Sequence, residues 1–310
     1  MNFKKYIRAI PKYLSDPDYR FLINAGLGMY DNMPDEQYLG RKFKSCMGKP
    51  LNLEAPKTFN EKLQWLKLYD RKPEYTVMVD KYKVREYIKE KLGEEYLIPL
   101  LGVWDDPEKI DFDKLPNRFV LKCNHNSGLG MCICKDKSRL DVAAVKAGLK
   151  KGLAQNYYLT GREWPYKDVP RRIVCEKYMT DSAGSEDFTD YKFFCFNGYV
   201  DCVMVCLERS SGETKYYFFD KDWKLKRLNI RGKNAPEGFT VPKPKCMDAM
   251  FDIAAVLSEG LPFARIDLYQ SNGHIYFGEI TFFPDSGFDS NLLPETDAYF
   301  GDLIDLRSVK

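Results

Sequence analysis

Ala264-Arg265-Ile266-Asp267-Leu268-Tyr269-Gln270-Ser271-Asn272-Gly273-His274-Ile275-Tyr276-Phe277-Gly278-Glu279-Ile280-Thr281 is the stretch on which the fold reading turns. Two β-like runs flank a polar, glycine-bearing turn, the composition of a hairpin. Side chains alternate faces along a strand, so the length of the turn sets which residues share a face. With a three-residue loop (Ser271 to Gly273, Gly273 in the left-handed bulge position), Gln270 pairs with His274. Arg265, Asp267 and Tyr269 then share a face with Ile275, Phe277, Glu279 and Thr281. A two-residue Asn272-Gly273 loop would instead put Asp267 and Glu279 on opposite faces. In the first register the face carries two carboxylates and a guanidinium, a hard-oxygen site for Mg2+ with a cation beside it for phosphate. An ordinary ion pair on a solvated hairpin is the plainer reading of the same residues.

Upstream, Phe119-Val120-Leu121-Lys122-Cys123 sets a lysine inside an apolar strand. The turn Asn124-His125-Asn126-Ser127-Gly128-Leu129-Gly130 follows, and such a turn can fold backbone N–H groups around a polyphosphate while the lysine supplies a point charge. Further strands are expected at residues 96–103, 118–123, 131–134, 172–178, 192–196, 199–207, 215–219, 265–269 and 274–282. Helices are expected at 141–158 and 246–259. Strands dominate and several neighbours look like hairpins, which is an α+β pattern rather than βαβ alternation. No GxGxxG follows the first strand and no GxxxxGK[ST] occurs, so Rossmann and P-loop readings fail. Residues 1–75 read as helical and irregular: Phe59, Leu63 and Leu66 recur at helical spacing behind Thr58 or Asn60 as cap, and a helix is expected over 79–92. The expected division is a helical extension 1–75, a small lobe 76–175 and a large lobe 176–310.

The totals exclude more than they identify. The 48 basic and 45 acidic residues leave a net charge of only +3, so nothing draws the whole chain to nucleic acid. Nine cysteines, without a CxxC pair and set in apolar runs, read as reduced, buried thiols, and two histidines are too few for a His-rich metal site. No apolar run reaches a membrane-spanning length and no cleavage site follows the basic start, so a cytoplasmic protein is expected. Residues 2–10 read as either a docking helix or a membrane-surface helix at the inner membrane face.

Taken in order, these segments resemble the ATP-grasp superfamily over residues 76–290. Arg265-Ile266-Asp267, then Glu279-Ile280-Thr281 and Pro284-Asp285-Ser286-Gly287, look like the magnesium hairpin of D-alanine–D-alanine ligases and glutathione synthetases. The resemblance implies Asp267, Glu279 and Thr281 as metal ligands, although Thr281 stands where most members carry asparagine. It implies Lys81, Lys122, Asn124, His125, Ser127, Gly128 and Gly130 around the nucleotide. Glu176-Lys177-Tyr178-Met179 resembles the hinge that pairs with adenine, and Asp190-Tyr191-Lys192 the Asp-x-Arg that follows it. A closer resemblance is to the TupA-like ATP-grasp family, carried by Phe59-Asn60-Glu61-Lys62-Leu63-Gln64-Trp65, Asp80-Lys81-Tyr82, Asn124-His125, Asp190-Tyr191-Lys192-Phe193 and Gly278-Glu279-Ile280-Thr281.

The resemblance implies an ATP-grasp fold and, with ATP and Mg2+ as cofactors, a ligase that turns a carboxylate into an acyl phosphate for attack by an amine. Arg265, with Lys192 or Arg209, is expected to stabilise the oxyanion. The substrates it implies are a small-molecule or glycan carboxylate and an amine in surface-polysaccharide synthesis, with polysaccharide assembly proteins as partners. Two rivals stand beside it. Asp220-Lys221-Asp222 spells the DxD of sugar-nucleotide glycosyltransferases, though it equally spells a hairpin turn. A non-catalytic nucleotide-binding module is the other, and within the resemblance an ATP-grasp kinase that phosphorylates its substrate and stops there is also open.

Overall fold

The computed structural model describes residues 10–180, 189–208 and 214–309. The chain divides into two compact units. The larger comprises Lys72–Tyr157 and Pro165–Phe282; the other gathers the residues up to Arg71, Tyr158–Trp164 and those from Phe283 on. This departs from boundaries at residues 75 and 175. A division read along the chain has no means of sensing that its last segment returns to its first helices.

The larger unit holds two sheets, and every strand pairing in them is antiparallel, as the α+β expectation requires. The first has the order β1-β4-β2-β3, from β1 (Leu100–Trp104), β2 (Phe119–Cys123), β3 (Cys132–Cys134) and β4 (Ile173–Lys177). Its Phe119, Leu121, Cys123, Ile173 and Cys175 point into one core with Leu149 of the helix Val142–Ala154. By alternation, Lys122 and Glu176 face the other way.

The second sheet has the order β10-β9-β5-β6-β7-β8, from β5 (Asp190–Phe196), β6 (Tyr199–Leu207), β7 (Lys215–Phe219), β8 (Leu225–Lys226), β9 (Ala264–Ser271) and β10 (His274–Thr281). The helix Met247–Ser258 covers one face, with Phe251 edge-on to Phe193 at 5.1 Å. Among the described residues, no helix is long and apolar enough to cross a membrane.

The β9–β10 hairpin takes the second of the two loop lengths open in the sequence. His274 pairs with Ser271, so the loop is the two-residue Asn272-Gly273, with φ of 55° and 78° as a primed hairpin turn requires. Taken alone, this would put Asp267 and Glu279 on opposite faces. A bulge between Phe277 and Glu279 inserts Gly278 as one extra residue, and beyond it Glu279 pairs with Asp267 and Thr281 with Arg265. The bulge needs a glycine. A Cβ at position 278 would lie 2.7 Å from the Tyr269 ring and 2.9 Å from the carbonyl oxygen of Asp267. Gly278→Ala is therefore expected to cost about 1–3 kcal/mol in denaturant unfolding and to weaken Mg-ATP binding with it. Unchanged stability and binding would show that the bulge tolerates a side chain.

The expected helix over 79–92 is two helices, Glu74–Val79 and Val84–Lys91, broken at Asp80-Lys81-Tyr82-Lys83. The Asp80 carboxylate accepts hydrogen bonds from the amides of Tyr82 and Lys83, so it folds the turn that leads into the second helix and leaves Lys81 on that turn.

The smaller unit is helical and organised by the Phe59–Tyr69 helix. Thr58 is its cap, in a reciprocal capping box with Glu61. Asn60 is buried and bonded instead to Asp297 and to the Asp289 backbone. Phe59 meets Phe300 at 5.5 Å, and Lys62 donates to the carbonyls of Gly301 and Ile304. Lys67 is wholly buried, its ammonium spread over Gln64 Oε1 at 3.0 Å, the Gly161 carbonyl at 2.7 Å and the Ser286 carbonyl at 2.6 Å.

Candidate active site

On the second sheet, the bulged hairpin and β5 assemble one polar face. Arg265 grips Asp267 in a fork, Nε to Oδ1 at 2.7 Å and Nη2 to Oδ2 at 2.8 Å. The same Nη2 reaches Glu279 Oε1 and Thr281 Oγ1, each at 3.1 Å. Register places Lys192 directly opposite Asp267. Its ammonium joins Asp267 Oδ2 to Asp190 Oδ2, the latter at 2.7 Å.

On the first sheet, Lys122 pairs with Glu176 at 2.6 Å, and Arg85 approaches the same carboxylate at 3.8 Å. Arg85 was not picked out from the sequence. Its place one helical turn past Lys81 is the signal that could have found it. Lys81 donates from its ammonium to the Asn126 carbonyl at 2.7 Å.

Electrostatics link the two sets. Burial alone would raise Glu279, but Lys81, Arg265, Lys192 and Lys122 outweigh it and hold its carboxyl at about 2. Glu279 is thus an anion at any working pH, with its side chain 39% exposed. Asp267 is the opposite case, 1% exposed and pushed up to about 6 by burial against the pull of Arg265 and Lys192. Lys81 is lowered, chiefly by burial. Two residues with the same charge sign thus sit in different surroundings on one face.

Among the described residues, no three His, Cys, Asp or Glu side chains are grouped as a metal cage. Asp267, Glu279 and the Thr281 hydroxyl offer the hard oxygen donors that Mg2+ takes, with both Asp267 oxygens held here by Arg265 and Lys192. That ion is usually held by one or two carboxylates and completed by water and substrate phosphate. The donor set suits a magnesium ion that arrives with a polyphosphate and is poor for one alone.

The other expected residues fall as follows. Ser127 and Gly128 lie exposed at the tip of the loop after β2, with Gly128 at φ 80°. A Cβ on Gly130 would lie 3.0 Å from the Gly148 carbonyl, so this glycine lets the loop lie against the helix Val142–Ala154. Lys177 closes β4 with its amide donating to the Pro99 carbonyl. Tyr178 carries Arg118 over its ring at 4.3 Å, and Met179 is half-buried just beyond. Asn124 and His125 are buried. Arg209 lies outside the described residues. Asp220 and Asp222 sit in the turn between β7 and β8, where Asp220 Oδ1 accepts the Lys224 amide and the Asp222 side chain is 78% exposed. That is the bonding of a hairpin turn.

Residues 61–305 match the family model described as TupA-like ATPgrasp. The chain belongs to the TupA-like ATP-grasp family. The α+β class and the ATP-grasp fold expected from the sequence hold for this family member. No curated protein matches it significantly. Among solved structures it is similar to a D-alanine–D-alanine ligase from Helicobacter pylori, at 13% identity and a TM-score of 0.48, over 81% of this chain and 70% of that one. A D-alanine–D-alanine ligase from Bacillus anthracis matches at 17% identity and a TM-score of 0.43, over 75% and 66%. N5-carboxyaminoimidazole ribonucleotide synthetase from Thermus thermophilus matches at 12% identity and 0.40, over 74% and 53%. The TupA-like chain thus spans just under two thirds of the Bacillus anthracis ligase and about half of the synthetase.

Proposed function

We propose that this protein is an ATP-dependent carboxylate–amine ligase that works through an acyl phosphate. The observation that carries the reading is the bulged hairpin face, where Asp267, Glu279, Thr281 and Arg265 converge with Lys192. Phosphoryl transfer asks little covalent chemistry of a protein and much positioning and charge stabilisation, and this face offers those. Magnesium held by Asp267, Glu279 and Thr281 would neutralise and orient the phosphates. Lys81, Lys122 and the N–H groups of residues 125–130 hold the rest of the polyphosphate, with adenine against the backbone of Glu176-Lys177-Tyr178-Met179 and Asp190 fixing Lys192. A carboxylate oxygen attacks the γ-phosphorus and ADP leaves. The amine nitrogen then attacks the acyl carbon, phosphate departs with its bonding electron pair, and the nitrogen sheds a proton. Arg265 and Lys192 face the oxyanion formed between these events, and Arg209 is the further cation proposed there.

The acid is proposed to be a uronic acid or similar group of a surface glycan, joined to an amino acid or amine. The protein would then work beside polysaccharide assembly proteins, in the cytoplasm or at the inner membrane face. Calorimetry with Mg-ATP and with UDP-sugars, on wild type and Asp267→Ala, tests the reading. Mg-dependent ATP binding that the substitution weakens is expected. Binding of UDP-sugar in its place would move the site to Asp220 and Asp222 and end the ligase reading. ATP binding with no ADP release against a broad set of acids and amines would leave a nucleotide-binding module.

A further inference from the structure

Asn124 was expected among the nucleotide contacts, yet its polar atoms are engaged within the protein. Its side chain is fully buried. Nδ2 donates to Asp80 Oδ1 and to the Pro170 carbonyl, both at 2.8 Å, while Oδ1 accepts the Arg172 amide at 2.7 Å. Both donors face oxygens and the acceptor faces an N–H, so the orientation of the amide is settled by its partners. Its backbone is engaged as well, the amide donating to the Arg172 carbonyl at 3.0 Å and the carbonyl accepting the Lys81 amide at 3.2 Å. Five hydrogen bonds tie the Asp80 turn, the start of the loop after β2 and the entry to β4 to one residue.

We infer that Asn124 is a positioning residue that registers Lys81 against the phosphate loop. The inference rests on the proposed ATP site and gives Asn124 a different part in it. Lys81 is tethered at both ends to this loop, its amide to the Asn124 carbonyl and its ammonium to the Asn126 carbonyl. Lys122 stands two residues before Asn124 on β2, so both lysines take their places from the same anchor. Asp80 completes the device. One carboxylate oxygen accepts from the amides of Tyr82 and Lys83 and also from Asn124, which fixes the turn bearing Lys81. His125 serves the same loop from the other side. Its Nε2 meets the Gln155 carbonyl at 3.1 Å, and burial lowers its pKa, so the neutral ring donates there. Its Nδ1 is then an acceptor, which suits a phosphate oxygen poorly.

The test is a double-mutant cycle on Mg-ATP binding with Asn124→Ala and Lys81→Met. Each single substitution is expected to raise Kd by about tenfold, the worth of one well-placed charge-assisted hydrogen bond, and the pair little more than either alone. A residue that only supports the fold would instead give additive losses. Asp80→Ser keeps an acceptor for the turn amides but falls short of Asn124, so it carries the same test if Asn124→Ala does not fold, with the same tenfold loss expected. Wild-type affinity in these variants, or additive losses, overturns the positioning role and leaves the ATP site standing. Failure of the wild type to bind Mg-ATP overturns both.

Discussion

In Glu279→Gln, ATP-dependent ADP release is expected to fall by about a thousandfold while the fold survives, the scale reached when a preorganised group of a charged transition state is removed. Glu279 is the more exposed of the two hairpin carboxylates and its replacement is isosteric, so little packing is lost. What changes is charge. Four cations, Lys81, Arg265, Lys192 and Lys122, hold Glu279 ionised, and its loss leaves Asp267 as the one carboxylate facing the proposed metal. Binding separates this from general damage. Without Mg2+, Glu279→Gln should bind ATP at least as tightly as wild type, because a negative charge has left a site for a polyanion. With Mg2+, the enhancement seen in wild type should disappear. Asp267→Asn should lose turnover likewise, but also stability, since Arg265 and Lys192 share that one buried carboxylate. Near-normal ADP release in both variants would sink the proposed site.

Lys67→Met is expected to destabilise the protein by about 3 kcal/mol or more, a large fraction of ordinary domain stability. The methionine fills the stem's volume but leaves Gln64 Oε1 and the carbonyls of Gly161 and Ser286 buried with their ammonium donor gone. Those three groups belong to separate segments, and the Ser286 segment is a turn in which Asp285, Ser286 and Gly287 all have positive φ. Strain of that kind persists where surrounding bonds overdetermine it. The pH dependence adds a second readout. Burial pulls Lys67 down to about 7, against the opposing pull of Glu163. An unfolded lysine keeps its proton to about 10.4, so between these values the unfolded chain binds more protons and stability rises with pH. Urea unfolding at pH 7 and pH 9 should therefore show wild type gaining stability relative to Lys67→Met. Parallel pH curves for the two proteins would refute this account of Lys67.

Much of this was legible in the residue order, and the failures have physical causes. Most strands lie close to their expected limits because apolar alternation and turn residues are local signals, but the one expected from 96 begins at Leu100, and Leu225–Lys226 was not expected. The helix expected over 79–92 was overextended because its apolar spacing continues across Asp80, whose carboxylate turns the backbone by bonding to the amides of Tyr82 and Lys83. The hairpin loop was open between two and three residues, since Asn-Gly suits one and a left-handed glycine the other. The motif Phe59-Asn60-Glu61-Lys62-Leu63-Gln64 was visible, but not its partners. They lie more than 200 residues away, at Ser286, Gly287, Asp297 and Gly301.

By itself, the sequence determined which residue types stand near one another along each strand: Arg265 with Asp267, Glu279 with Thr281, Lys122 before its glycine loop. It also located the start of the Phe59–Tyr69 helix at Thr58 or Asn60, and the folded chain takes Thr58, in a capping box with Glu61. Only the tertiary structure decided whether Asp267 and Glu279 would meet. The two-residue loop sets them on opposite faces, and one bulge brings them back. That bulge rests on the clearance between Gly278, the Tyr269 ring and the Asp267 carbonyl, a fit across strands that no spacing within one strand encodes. The tertiary structure likewise turned Asn124 inward, because only the folded chain brings Asp80, Pro170 and Arg172 to its amide.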